Sequence, residues 1–531
     1  MRKFSSYGPV DNDLNYYAPR QELVQKALNQ LVGDEPDKGG HYMTVWASRQ
    51  TGKTWVMREV LWKLMADERF HVLKLNLEYL KMSVDADRIV SKIAAEIIED
   101  LNLDGISVSN MDEFHLIFQK DVLKKPLILI LDEFDALSED AISGIVGVFR
   151  NIYISRQEDP NLSAQKKFLL HGVALIGVRS VLGIENLKGS PFNVQRSIHI
   201  PNLTFAEMEY LYRCYERESG QKIEQEVIDR IYYETRGQPG LVSWFGELLT
   251  EGYDDYKPDH TCPIGLDQFE EIYVDALNVL PNNNILNIIS KAKQEPYKEL
   301  VLELFKTKEV MPHKYDDPRL NYLYMNGVID REKIDKKLNV VKFPSPFVQK
   351  RLFNYFSHEL FYYIGKIHEP FEDMSDTITE ESLNIKNLIM RYEKHLRKNR
   401  DWLLADVPRR KDLRIFEAVF HFSLYEYLNR FLANKDAKII PEFPTGNGKI
   451  DLIVRYREKI YALELKSYTD ESDFKRAIKQ AAEYGKSMKL DTVYLVVFVE
   501  YIPDEFRQKL EVDYRDDSTG VTVVSVFAAT G

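Results

Sequence analysis

The chain has only two cysteines, Cys214 and Cys262, in 531 residues. They are too few and too isolated for a disulfide framework or a thiolate zinc site, and they read as ordinary thiols of a reducing compartment. No run of about 18 apolar residues is present that could span a bilayer. The strand-like apolar run Leu127 to Leu131 suffices only for a buried strand. The opening residues Met1-Arg2-Lys3-Phe4-Ser5-Ser6 lack the apolar stretch and small-residue cleavage site of a secretory signal. A cytoplasmic location without membrane association is therefore expected. Positive charge is also in deficit. The formal net charge of -12 excludes indiscriminate coating of nucleic acid, so any DNA contact must be local. No internal repeat or low-complexity tract occurs.

A chain of 531 residues exceeds what one hydrophobic core supports, since single cores stop growing near roughly 250 to 300 residues. The pattern along it predicts an α/β multidomain protein. A strand-like segment from His41 to Ala47 runs into a glycine-containing loop, and Thr54 to Met65 then carries apolar side chains at helical spacing. Strands are expected over Val72 to Leu77, Leu127 to Leu131 and Phe168 to Ile176, with a helix over Ile93 to Leu101. Alternation of this kind implies a parallel sheet wrapped by helices. After Ile198-His199-Ile200 the pattern becomes helical, and Thr204-Phe205-Ala206-Glu207 supplies a capping box. Helical stretches at Leu300 to Phe305 and Leu320 to Met325, a charged tip at Arg331 to Lys337 and a return strand at Val340 to Phe343 suggest a winged helix. The expected domains are a parallel-sheet core over 1–200, a helical lid over 201–290, a winged helix over 291–356, a charged and partly helical connector over 357–409, and an α/β domain over 410–531.

Ala47-Ser48-Arg49-Gln50-Thr51-Gly52-Lys53-Thr54 reads as a nucleotide-phosphate loop. Such a loop turns successive backbone N–H groups into one concavity, and the following helix presents its positive end to the same anion. Arg49 to Thr54 would cradle the phosphates, with Lys53 on the β and γ phosphates and the Thr54 hydroxyl on magnesium. Ala47 departs from GxxxxGK[ST], at a cost of about 1 to 2 kcal/mol if that residue must be left-handed. The apolar strand Leu127 to Leu131 delivers Asp132 to the same metal and Glu133 to a water beside the γ phosphate.

Tyr16-Tyr17-Ala18-Pro19-Arg20, the RQTGKT form of the loop, Asp132-Glu133, Gly177-Val178-Arg179-Ser180, Ser190-Pro191-Phe192-Asn193 and Thr235-Arg236-Gly237-Gln238-Pro239 resemble the AAA-like and STAND-like P-loop ATPases of bacteria and archaea. The resemblance covers about residues 10 to 355. It implies that Tyr17 and Arg20 lie near the adenine, that Ser180 or Arg179 takes the sensor position, and that the turn ending in Pro239 touches the nucleotide. Arg179 and Arg196 read equally as a sensor or finger and as structural ion pairs.

A second chemistry is written near the C-terminus. In Ile460-Tyr461-Ala462-Leu463-Glu464-Leu465-Lys466, Glu464 and Lys466 are two apart and share one strand face. Gly448-Lys449-Ile450-Asp451 opens the preceding strand, whose hairpin turn lies near Arg457-Glu458-Lys459. Asp451 and Glu464 would converge on Mg2+ or Mn2+, and Lys466 would position the attacking water. Glu464 and Lys466 by themselves would read as a salt bridge on an exposed sheet face. The fuller pattern resembles the PD-(D/E)XK, or restriction-endonuclease-like, nuclease superfamily over about residues 410 to 531. Glu417, on an amphipathic helix from Ile415 to Phe431, is the candidate auxiliary carboxylate, with Glu426 and Glu442 as alternatives. Gln480 and Tyr484 share a face of the following helix, and would contact DNA phosphate or the centre.

Lys386, Arg391, Lys394, Arg397, Lys398, Arg400, Arg409, Arg410, Lys411 and Arg414 lead into this region, as a local DNA contact or as a solvated helix face with counter-charges nearby. The expectation is an ATP-binding and ATP-hydrolysing switch governing a magnesium-dependent DNA endonuclease in one chain, with DNA as partner and an ATP-dependent homo-oligomer as its assembly. Architectures of this kind are associated with prokaryotic defence or mobile elements. The rivals are a nucleotide-gated DNA-binding or assembly protein whose nuclease fold is inactive, and a DNA-stimulated ATPase motor.

Overall fold

The computed structural model describes residues 1–8, 11–177, 196–253, 256–306, 311–314, 316–334, 338–368, 372–405, 407, 417–443 and 451–531, with Lys306 and Glu417 described for the backbone alone. Two compact units result. The first comprises Met1–Phe269 with Lys314–Val328, the second Glu270–His313 with Ile329–Gly531. No described helix is long and apolar enough to cross a membrane.

In the first unit, β1 (Tyr42–Trp46), β2 (His71–Asn76), β3 (Leu127–Asp132), β4 (Leu170–Gly177) and β5 (Arg196–His199) form a parallel sheet in the order β2-β3-β4-β1-β5. Every residue of β3 and β4 is buried, as a parallel sheet covered on both faces demands. Leu127, Leu129 and Leu131 pack into the layer formed with the helices Ala86–Asp100 and Glu139–Glu158. The intervening Ile128 and Ile130 pack into the layer formed with Gln21–Val32 and Lys53–Met65. The helix expected from Ile93 starts seven residues earlier, at Ala86, because the Asp85 carboxylate accepts from the Asp87 and Arg88 amides and caps it. Phe168, expected in β4, instead bridges Gln119 ahead of the strand. The capping box forms as read, Thr204 and Glu207 opening the helix Phe205–Ser219, and Gln225–Thr235 and Pro239–Thr250 follow it.

A buried polar knot ties this sheet to its helices. His171 Nδ1 accepts from Ser163 Oγ at 2.7 Å, Arg156 Nη2 donates to the same oxygen at 2.7 Å, and His171 Nε2 meets the Val32 carbonyl at 2.9 Å. Burial holds the His171 imidazole well below its ordinary value, at about 4, with the nearby Arg156, Arg69 and Lys166 charges adding to the shift and the Val32 contact opposing it. The folded state therefore favours the neutral ring. Its contribution is complete above the unfolded value near 6.5 and is lost as pH falls from there towards 4, amounting to about 3 kcal/mol. Denaturant unfolding of the wild type and of His171→Gln should show their stability difference shrinking through that window, whereas a constant difference would mean the ring is charged in the fold.

The second unit holds a mixed sheet of β8 (Ala437–Glu442), β9 (Asp451–Tyr456), β10 (Lys459–Ser467), β11 (Thr492–Val499), β12 (Asp513–Arg515) and β13 (Thr522–Ala529), in the order β12-β13-β11-β10-β9-β8. β8, β9 and β10 pair antiparallel, and β10, β11 and β13 pair parallel. The helix Glu471–Ser487 makes the crossover that a parallel β10–β11 pair requires. Its small residues Ala477, Ala481 and Ala482 let it sit close over Ala462, Val493, Leu495 and Val497. Phe498, on the opposite face, meets Tyr392 of the helix Ile385–Leu403 and Phe420 of the helix Glu417–Phe431. The hairpin of β6 (Asp330–Lys333) and β7 (Asn339–Lys342) is extended by Met311 and His313, whose backbones bond β7 at Val341 and Asn339. Phe305, Phe343, Phe353, Phe422 and Phe443 form one aromatic cluster that joins this hairpin region to the sheet.

Candidate functional site

In the first unit the phosphate loop leaves the end of β1, and the helix Lys53–Met65 begins directly after Gly52. The left-handed residues of the loop are Gln50 (φ 56) and Gly52 (φ 88). Ala47 is not among them, so replacing the first glycine of the motif carries no left-handed penalty. Lys53 is buried and its Nζ donates to the Ala47 and Ser48 carbonyls at 3.1 and 3.0 Å. Burial pushes its ammonium below the ordinary value, while Glu133, Asp135 and Asp132 pull it back up. Thr51 Oγ1 donates to Ser48 O at 2.9 Å, and Thr54 stands in the first helical turn with Arg49 exposed beside the loop.

β4 lies between β1 and β3, so Asp132 and Glu133 face the loop across one intervening strand, about 10 Å away. Asp132 Oδ2 is 2.7 Å from Lys74 Nζ on β2, and Asp132 Oδ1 accepts from the Glu133 amide at 3.1 Å. Glu133 itself is left-handed (φ 55). Burial raises its carboxyl above the usual range, Asp135 adds to the rise and Lys53 opposes it. Such a carboxyl holds protons more readily than an exposed one, which suits a base beside a nucleophilic water. Lys74 was not legible in the sequence, since only strand pairing of Asn76 with Asp132 brings β2 to this end.

Tyr17 packs its ring 4.9 Å from Trp55 of the loop helix. Arg20 is buried and committed to the segment that leads into the helix Phe205–Ser219: it donates to the Pro201 and Asn202 carbonyls at 2.7 and 3.2 Å and lies 3.3 Å from Glu207. The turn Gly237-Gln238-Pro239 reaches the outside of the loop. Gln238 Nε2 donates to Arg49 O at 3.1 Å, the Gly240 amide donates to Gln50 O at 3.1 Å, and Pro239 begins the helix that Gln238 caps. Gly177, at the end of β4, is the last described residue before the expected sensor. Arg179, Ser180 and Ser190 to Asn193 lie outside the described residues.

Gly237 is at φ +70, and a Cβ there would meet the Leu203 carbonyl at 2.0 Å. Gly237→Ala is therefore expected to destabilise the first unit by about 1 to 3 kcal/mol and loosen the lid turn from the loop. Denaturant unfolding with limited proteolysis around residue 237 measures both, and an unchanged midpoint would contradict the close packing.

In the second unit, Glu464 and Asp451 are direct partners across β10 and β9, so their side chains leave the same face. Both are buried, at 5% and 2% exposure. The hairpin closes through Arg457 at φ 52 and Glu458, which fixes that register. Lys466 Nζ lies 2.8 Å from Glu464 Oε1. Lys466 and Gln480 both line a cavity of about 310 Å³, together with Tyr468, Asp473 and Arg476. Tyr484 instead packs against the apolar cluster beneath the helix.

Glu417 is the first residue of its helix, but its side chain lies outside the described residues, as do Gly448, Lys449 and Ile450. Of the alternatives, Glu426 is held by Arg430 at 2.9 Å and Glu442 by Lys350 at 2.8 Å. Among the described residues no group of three or more His, Cys, Asp or Glu side chains could hold a metal ion. The described donor set is thus two paired carboxylates, hard oxygen ligands of the type magnesium takes with water completing its shell.

Among the basic residues ahead of this region, Arg391 bonds Glu372 and Asp376, Arg397 lies 3.5 Å from Glu393, Lys386 lies 3.9 Å from Glu511, and Arg400 donates to Thr530 O at 2.8 Å. Lys394 and Lys398 line a cavity of about 590 Å³ with His368 and His395. Arg409, Arg410, Lys411 and Arg414 lie outside the described residues.

Residues 5–250 match the AAA-like domain family. The match spans the glycine-containing loop, β1 to β5 and the helices Phe205–Ser219, Gln225–Thr235 and Pro239–Thr250, and the five-stranded parallel sheet fits a P-loop α/β fold. No curated protein matches the chain. Similar solved structures include the Aeropyrum pernix ORC1 protein in complex with DNA, at 16% identity over 63% of this chain and 91% of that one, with a TM-score of 0.32. The Walker-type ATPase paby2304 of Pyrococcus abyssi is 14% identical over 66% of this chain and 99% of that one, with a TM-score of 0.41. Cdc6p from Pyrobaculum aerophilum is 16% identical over 66% and 99%, with a TM-score of 0.34. Likeness at this level decides nothing about activity.

Proposed function

We propose that the chain is an ATP-driven switch controlling a magnesium-dependent DNA endonuclease carried on its own second unit. One observation carries the reading: Asp451 and Glu464 stand opposite each other on adjacent strands, buried, with Lys466 beside them at 2.8 Å from Glu464. This placement supports the resemblance of the I-D and E-L-K residues to the PD-(D/E)XK nucleases, as does the helix–three-strand–helix–strand order of residues 417–499.

Asp451 and Glu464 would hold the ion, with Glu417 as the third ligand. A divalent ion there supplies a polarised water and offsets charge on the phosphoryl oxygens. Lys466 holds the attacking water and stabilises its deprotonated form, while Gln480, on the cavity wall, orients the phosphate. In the first unit Lys53 and the loop amides would bind the ATP phosphates, Thr54 and Asp132 would hold their magnesium, and Glu133 would take the proton of the hydrolytic water.

Control by ATP is supported by the route of the chain. The helix Pro318–Met325 belongs to the first unit, where Tyr324 lies 6.0 Å from Trp46 of β1 and a Cβ on Gly327 would meet Ser48 of the loop at 3.0 Å. From Val328 the backbone runs straight into Ile329 and β6 of the second unit. The hairpin β6–β7 is the winged-helix candidate for duplex contact, and the Lys394–Lys398 cavity is a second. Supercoiled plasmid incubated with the protein, magnesium and ATP should be cut by the wild type, not by Asp451→Ala or Glu464→Ala, and without ATP dependence by Lys53→Ala. Plasmid bound but uncut by every protein would favour the nucleotide-gated assembly protein instead.

A further inference from the structure

Glu442 pairs directly with Asp451 across β8 and β9, and Asp451 pairs directly with Glu464 across β9 and β10. Three carboxylates therefore form a row across three adjacent strands, spaced about 4.8 Å apart at the backbone. Like charges placed opposite one another destabilise a sheet, so such a row calls for cations. One stands at each end. Lys466 lies 2.8 Å from Glu464, and Lys350 lies 2.8 Å from Glu442 Oε1.

Lys350 is the less expected of the two. It comes from the helix Pro346–Phe361, and its side chain is fully buried, its ammonium also lying 5.2 Å from the centre of the Tyr273 ring. An ammonium taken wholly out of water is costly unless an anion meets it closely, so the contact with Glu442 is one the fold must keep. The row's register would bring three carboxylates to one ion, yet among the described residues no three come together, and Glu442 is engaged by Lys350.

We infer that Lys350 is a resident counter-cation that withholds Glu442 from the divalent ion held by Asp451 and Glu464, and thereby sets the affinity for that ion. This rests on the metal-site reading above. Lys350 is a positioning residue, acting on the ion through Glu442. Phe353 of its helix packs 4.7 Å from Phe422 of the helix Glu417–Phe431 and 5.7 Å from Phe443 just after β8, which holds Lys350 at the end of the row.

Titration of Mn2+ into the full chain, with free ion counted by electron paramagnetic resonance, tests this. Lys350→Met should bind Mn2+ about tenfold more tightly than the wild type, because Glu442 rejoins the row, and Lys350→Met/Glu442→Gln should return to within about threefold of it. Unchanged or weaker binding by a folded Lys350→Met overturns the inference. Should Lys350→Met fail to fold, the double variant, with neither buried charge, decides alone: wild-type affinity supports the inference, and weakening by about tenfold or more identifies Glu442 as a ligand and overturns it. A wild type that takes up no Mn2+ removes the metal site itself, a result distinct from wild-type binding that Lys350 fails to modulate.

Discussion

Replacing Asp451 with asparagine is expected to reduce plasmid cleavage by at least about a hundredfold while leaving the fold and nucleotide binding intact. The substitution preserves shape and removes one negative charge from a buried pair of carboxylates, Asp451 at 2% and Glu464 at 5% exposure. A divalent ion held there would lose one of its two proposed anionic ligands, leaving Glu464, 2.8 Å from Lys466, as the other. The sheet should survive, because relieving a like-charge contact between paired positions does not cost a strand its backbone bonds. Nicking and linearisation rates in magnesium, read beside a circular dichroism melt, separate the two effects. Cleavage by Asp451→Asn within a few-fold of the wild type would remove the proposed centre.

Lys53→Ala is expected to weaken ATP binding by about tenfold to a hundredfold or more, since charge-assisted bonds to an anion are worth roughly 1.5 to 3 kcal/mol. Lys53 is buried, and burial works against its charge while three nearby carboxylates favour it. An anionic phosphate beside it would reinforce the charged form. Alanine also leaves the Ala47 and Ser48 carbonyls without the donor they have here, so the loop itself loosens. Lys53→Arg is not expected to rescue binding, because the planar fork of arginine cannot take the place of a compact ammonium in a buried position. Equilibrium titration with a fluorescent ATP analogue measures the loss, and in the same variant cleavage should no longer respond to ATP. Full-strength nucleotide binding by Lys53→Ala would contradict the assignment of the loop.

What could be read from residue order alone follows the range of the interactions involved. The Thr204–Glu207 cap and the helix after Gly52 are local, set within one turn of chain, and both form where expected. The pairing of Asp451 with Glu464 was legible because a tight turn at Arg457 and Glu458 fixes the register over thirteen residues. Ala47 looked like a defect in the loop, but the left-handed conformations fall on Gln50 and Gly52, a distribution that the motif does not encode. Contacts between distant segments were silent. Lys74 reaches Asp132 only because β2 lies beside β3, and Lys350 meets Glu442 across 92 positions. The charged stretch from Lys386 to Arg400 shows the converse limit. Its composition read equally as a local DNA contact and as a solvated helix face with counter-charges nearby, and only the fold shows that Lys386, Arg391, Arg397 and Arg400 each meet an acid or a carbonyl from other parts of the chain or the preceding helical turn.

The most direct measurement is anomalous scattering from crystals of the full chain soaked in Mn2+. A peak between Asp451 and Glu464, within about 2.2 Å of one oxygen of each and absent from Asp451→Asn crystals, is the expected result. Well-ordered carboxylates with no peak between them, or manganese bound only elsewhere on the chain, would contradict it.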